Sequence, residues 1–202
     1  MRKKIERTAY HEAGHAVAFY HLHVPISYVT IVPDEDSLGH VKDPLPNFDP
    51  DKLDISREAF ERHCRDGTSP FPPELNRYFT ECNITLKTAD WMERKILVSF
   101  AGPLAEQRFA NRHNWIGSDR EDWRSGFDTA SNLVEGGEIL QKYVDYLWAR
   151  AKGLLNNNPW LWAAVEAVVK ELLIRKKMGS RLTRKIIRKA IDDYKVKRKE
   201  VS

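Results

Sequence analysis

Thr8-Ala9-Tyr10-His11-Glu12-Ala13-Gly14-His15-Ala16 is the stretch whose reading decides the rest. Within it, His11-Glu12-Ala13-Gly14-His15 is a complete HExxH. Residues four apart share one face of a helix, so His11 and His15 can offer two imidazoles to a single ion. Neutral imidazole suits zinc, and two on adjacent turns make half of a tetrahedral shell. Glu12 follows the first histidine directly and is placed to act as general base on a metal-bound water. The plainer alternative is a buried or capping histidine pair on an amphipathic helix. Ala9, Ala13, Ala16 and Val17 give the helix its apolar side, and Ala and Gly beside the histidines let neighbouring chain come close.

Working outward, residues 5 to about 22 read as this first helix. His21 and His23 stand at its exit, where histidine suits the helix dipole, and Pro25 follows. Ser27 to Val32 is β-branched and aromatic and reads as a strand; Leu38-Gly39-His40-Val41 reads as a second, short one. Together they predict a hairpin beside the motif helix, with an edge that can pair with an extended peptide. His40 is read as an exposed strand residue in preference to a metal neighbour.

Asp43 to about Thr88 reads as an inserted, loop-rich region. It is opened by Pro44, Pro46 and Pro50, has a short helix near Ser56 to Cys64, and is broken again at Asp66 to Pro73. Helices are expected from about Ala89 to Asn111 with a kink at Gly102-Pro103, and from about Ser118 to Glu135. Three more are expected at about Ile139 to Leu155, Pro159 to Lys177 and Thr183 to Lys195.

The 202 residues are 42% hydrophobic and 31% charged, the balance of a water-soluble folded chain. No apolar run approaches the roughly 20 residues of a membrane span, and no apolar leader precedes the motif. Cys64 and Cys82 are expected as free thiols, and the location as cytoplasmic. The formal net charge of +4 is modest, but the C-terminal helix is strongly basic. A solvated face is the preferred reading of that helix, since no recognised nucleic-acid motif accompanies it.

A catalytic zinc takes three protein ligands and one open position. The short HExxHxxGxxH continuation is not met: position 18 is Ala18, not glycine, and position 21 is His21 at the helix exit. The third ligand is therefore expected from farther along the chain. The acidic cluster Asp119, Glu121, Asp122 and Asp128 supplies the candidates; helix N-termini favour acids anyway, and the residues alone leave Asp119 and Asp122 close.

The chain resembles the peptidase domain of the FtsH family, the membrane-bound ATP-dependent zinc proteases (peptidase family M41). The resemblance rests on Thr8 to Ala16, on Val29-Thr30-Ile31-Val32-Pro33 followed by Leu38-Gly39, and on Ile96 to Glu106, where Pro103 replaces an arginine of the family's G-R-A-A-E core. Leu182-Thr183 and Ile186 match its terminal L-T-x-x-x-I loosely. The resemblance implies Asp122 as third zinc ligand, counted back from Ala130 and Leu133-Val134, with Trp123 replacing the family's leucine. It also implies a mainly α-helical, α+β zincin-like metalloprotease domain spanning 1–202, with the insertion at about 43–88 and the basic helix at about 183–199. The implied activity is zinc-dependent, ATP-independent hydrolysis of peptides or unfolded protein segments, with Zn²⁺ on His11, His15 and Asp122, and Glu12 as base. Carboxylates or backbone carbonyls should hold the other histidine nitrogens; Glu106, Asp119 and Glu121 are the side-chain candidates, with exposed helix acids as the equal alternative. A separate ATPase partner and a homo-oligomer are kept open; a membrane span and nucleic acid are not expected. The rival reading is an inactive scaffold or adaptor of the same fold that meets an acidic partner or nucleic acid through its basic end.

Overall fold

The computed structural model describes residues 2–33, 39–42, 86–111 and 119–201. The expected insertion lies outside the described residues up to residue 85, and with it Cys64, Cys82 and the short helix between Ser56 and Cys64.

Helix α1, Arg2–His21, carries the motif. Its small residues set how neighbours reach it. Ala9, Ala13 and Ala16 are fully buried, and a Cβ on Gly14 would lie 2.5 Å from the Ala101 carbonyl oxygen and 2.6 Å from the Ala105 Cβ. Helix α2, Leu86–Ala110, therefore crosses α1 nearly backbone to backbone. It runs continuously through Pro103.

Helix α3, Asp119–Ser131, packs on α2. It ends four residues earlier than the expected Glu135: the Leu133 amide tightens to a three-residue bond to the Ala130 carbonyl at 2.9 Å, and Val134 shares that carbonyl at 3.2 Å. That turn buries both side chains. Helix α4, Glu138–Asn156, lies on α2. Helix α5, Pro159–Arg175, starts with proline at its first position and packs on α1. Helix α6, Ser180–Val201, packs on α5 and is longer than the expected 183–195. α1 thus sits between α2 and α5, with α3 and α4 beyond α2 and α6 beyond α5.

The domain is mainly helical with one small antiparallel sheet. Strand β1, Tyr28–Thr30, pairs antiparallel with β2, His40–Lys42, near the segments expected to form a hairpin. The hairpin is incomplete as a description, however. A third strand, β3, Lys177–Gly179, pairs with the other edge of β1, giving the order β2-β1-β3. The sequence placed these residues at a helix end and a break. Lys176, at φ 67°, ends α5 in the left-handed region, and its carbonyl accepts the Ile31 amide at 2.9 Å. Val29 faces Val41 on one side and Met178 on the other, and Val29 and Met178 are buried.

Candidate metal centre

His11 and His15 project from one face of α1, their ring centroids 4.8 Å apart and their planes at 76°. The two Nε2 atoms are 3.1 Å apart. Asp122, in the first turn of α3, brings Oδ2 to 2.8 Å from His11 Nε2 and 3.5 Å from His15 Nε2. These three residues form the one cluster among the described residues able to hold a metal ion.

The outer nitrogens fix which atoms face inward. His15 Nδ1–H donates to the Val98 carbonyl at 2.8 Å. His11 Nδ1–H donates to Glu106 Oε2 at 3.2 Å. With its proton on Nδ1, each neutral ring presents a bare Nε2 lone pair. Two lone pairs and a carboxylate oxygen then converge on one small volume, an arrangement that repels itself unless a cation sits among them, either a metal ion or a proton on His11 Nε2 directed at Asp122. Ligands held about 2.0–2.1 Å from a tetrahedral zinc stand about 3.3 Å from each other, close to the separations here. The donor set, two imidazoles and one carboxylate, is also the kind a catalytic zinc takes.

Glu106 is itself held. Arg7, one turn before His11, donates Nε–H to Glu106 Oε1 at 2.8 Å, and its Nη2 bonds the same oxygen. One carboxylate oxygen serves the arginine and the other serves the imidazole. Gly102 gives the His15 ring its seat: a Cβ there would stand 2.2 Å from His15 Nε2.

The charges around the site favour a cation. Burial opposes protonation of His11, but hydrogen bonds to Asp122 and Glu106 and the nearby Glu12 charge outweigh it and push its pKa up to about 10. Burial would raise Asp122, yet His15 and His11 hold it well below the usual carboxylate range. Burial pushes Glu12 up; His11 and His15 pull against this, while Asp122 and Glu106 add to it. Glu12 is almost wholly enclosed. A Cβ on Gly39 would lie 3.1 Å from Glu12 Cγ and 2.7 Å from the Thr30 carbonyl, so the chain enters β2 directly against the motif glutamate.

Of the other residues singled out in the sequence, His21 is the last residue of α1 and is exposed. Without a glycine at position 18 the helix runs on, which carries His21 about 9 Å along the axis beyond His15. His23 is exposed, as is Glu121. The side chain of Asp119 lies outside the described ones. His40 is half-buried, and its Nε2 shares a 2.6 Å hydrogen bond with the Tyr28 hydroxyl, so it is neither in the metal cluster nor a plain surface residue. Sequence reasoning missed Arg7, the Val98 carbonyl and the role of Gly102. Only Gly102 left a trace, as glycine next to proline inside a helical pattern.

No family model matches the chain, and no curated protein matches it.

Proposed function

We propose that this chain is a zinc-dependent endopeptidase of FtsH-like type, acting on peptides or unfolded protein segments. The observation that carries this is the convergence of His11 Nε2, His15 Nε2 and Asp122 Oδ2, with Glu12 buried next in sequence to the first of them. When bound, zinc supplies a Lewis acid and lowers the pKa of water at its open position. His11, His15 and Asp122 would hold it. Val98 and Glu106 keep the two rings turned so that Nε2 faces inward.

Glu12 takes the proton of the attacking water and returns it to the leaving amine. Burial makes its carboxylate more basic, which suits it to that receiving role. Among the described residues β2 is an outer strand of the sheet and begins against Glu12, so an extended substrate backbone can add to it and pass the base. The polar edge of a three-residue strand selects for extended main chain, not for a folded surface.

The test is metal content and casein cleavage on the same preparations. Wild type should hold about one zinc per chain and cleave; Glu12→Gln should keep the zinc and lose about 10²–10⁴-fold in rate. Asp122→Ala should lose both. A wild type that takes up no zinc when supplied would overturn the reading.

A further inference from the structure

Helix α6 and the start of α5 form a surface that the metal centre does not use. α6 carries nine Lys and Arg against three Asp and Glu, in a chain whose formal net charge is only +4, so the rest of the molecule is net acidic. All nine cations are exposed. Arg181, Arg184, Arg188, Lys195 and Lys199 fall on one side of the helix at steps of three, four and seven residues. That stripe runs about 27 Å along the axis. Its continuity is interrupted by Asp192, which stands 3.9 Å from Arg188 in an exposed and therefore weak pair.

At its far end the stripe borders a cavity of about 480 Å³ lined by Trp160, Tyr194, Lys195, Arg198 and Lys199. Trp160 comes from the first turn of α5, and both aromatic rings are half-buried. Two aromatic rings with cations at the rim offer stacking and phosphate contact in one place. The size lies within the range of small-molecule pockets and admits one nucleobase with its sugar.

We infer that α6 and the Trp160–Tyr194 groove bind single-stranded nucleic acid, with one unstacked base in the groove and the backbone along the cationic stripe. Stacking is tolerant of base identity and needs a base free of its partner, which selects single strand over duplex. A free nucleotide would use the groove and leave the 27 Å stripe without a role, at about 1.5 Å per residue. A membrane surface fits less well. An interfacial helix buries its apolar face in lipid, whereas α6 has already spent that face on the protein: Ile187 is fully buried and Leu182, Ile186, Ala190 and Ile191 pack on the core. The groove shares no residue with the metal centre, so this inference stands apart from the proposed peptidase activity.

The experiment titrates the full chain into a fluorescein-labelled twelve-nucleotide single-stranded DNA, followed by anisotropy. The matched duplex and polyglutamate run in parallel. Single strand should bind at micromolar concentration and more tightly than duplex or polyglutamate. Its log affinity should fall with log salt at a slope of about −2 to −3, for three to four phosphates. Trp160→Ala should weaken binding about tenfold and Trp160→Tyr should restore most of it, since the ring and not the indole carries the contact. Lys195→Glu with Lys199→Glu, both at exposed sites, should weaken binding further and flatten the slope. Unchanged helical circular dichroism and urea midpoint show that the variants are folded. No binding below about 100 μM, equal binding of duplex or polyglutamate, or indifference to Trp160→Ala would each overturn the inference.

Discussion

His15 is fixed by what is missing beside it. The ring occupies the space a side chain at position 102 would take, with Nε2 only 2.2 Å from where a Cβ would be. Gly102→Ala should therefore displace the His15 atom that faces the candidate metal position. The expected outcome is zinc stoichiometry falling from about one toward zero, with helical content retained, read by elemental analysis and circular dichroism. The orientation of His11 is set more gradually. Removing a hydrogen-bond partner behind a metal-ligating histidine typically costs 10- to 100-fold in metal affinity. Glu106→Gln should lower zinc affinity by about that factor in a chelator competition. Arg7→Met should lower it by less, since the carboxylate stays but loses the bond that splits its two oxygens. Equal affinity in both variants and wild type would mean the rings are held by packing alone. The difference in legibility is physical. His11, Glu12 and His15 lie within two turns of one helix, so their spacing is itself their geometry. Gly102, Arg7 and the Val98 carbonyl matter only because α1 and α2 cross where they do, and no local pattern encodes that crossing.

Between elements, the interface of α2 with α4 contains a buried charge that the metal centre does not use. Glu93 is 2% exposed; it accepts the Tyr143 hydroxyl at 2.9 Å and pairs with Arg150. Burial pushes its pKa up to about 7, with Arg150 and Tyr143 pulling against the rise. A carboxyl whose folded value is raised binds its proton more tightly in the folded chain than in the unfolded one. Its contribution to stability is therefore greatest below about 4.5, shrinks as pH rises toward 7, and is constant above. The loss across that window is at most about 3–4 kcal/mol. Urea midpoints at pH 5 and pH 8 should fall less between the two for Glu93→Gln than for wild type; parallel curves would refute the raised value. The same scale explains what the sequence hid. The helices announce themselves by apolar periodicity; α4 and α5 follow it to within two residues, while α3 ends four residues early and α6 runs beyond it at both ends. β3 does not. Lys177-Met178-Gly179 carries no alternation worth reading, and it is a strand only because Lys176 turns the chain and β1 offers a free edge.

For the whole molecule, the metal centre joins parts that packing leaves separate. α3 rests on α2 and to a lesser degree on α4, while α1 is embraced by α2 and α5. The reach from Asp122 to His11 and His15 is thus a direct bond between α1 and α3, closed across α2. Without a cation that bond depends on a proton shared among groups that repel one another when both rings are neutral. On the proposed reading, zinc would turn it into a cross-link that the unfolded chain cannot reproduce. At a free zinc concentration of about a hundred times the dissociation constant, the stabilisation is about 2.7 kcal/mol. For a chain of this size that corresponds to a melting temperature higher by about 5–10 °C. Chelation should remove the increment, and Asp122→Ala should melt at one temperature with or without zinc. The site of the effect is as diagnostic as its size. In hydrogen exchange, chelation should deprotect α3 first and leave the centre of α1, buried between two helices, nearly unchanged. Uniform loss across the chain would mean that zinc stabilises the fold without tying α3 down, and that Asp122 does not hold the metal as the geometry implies.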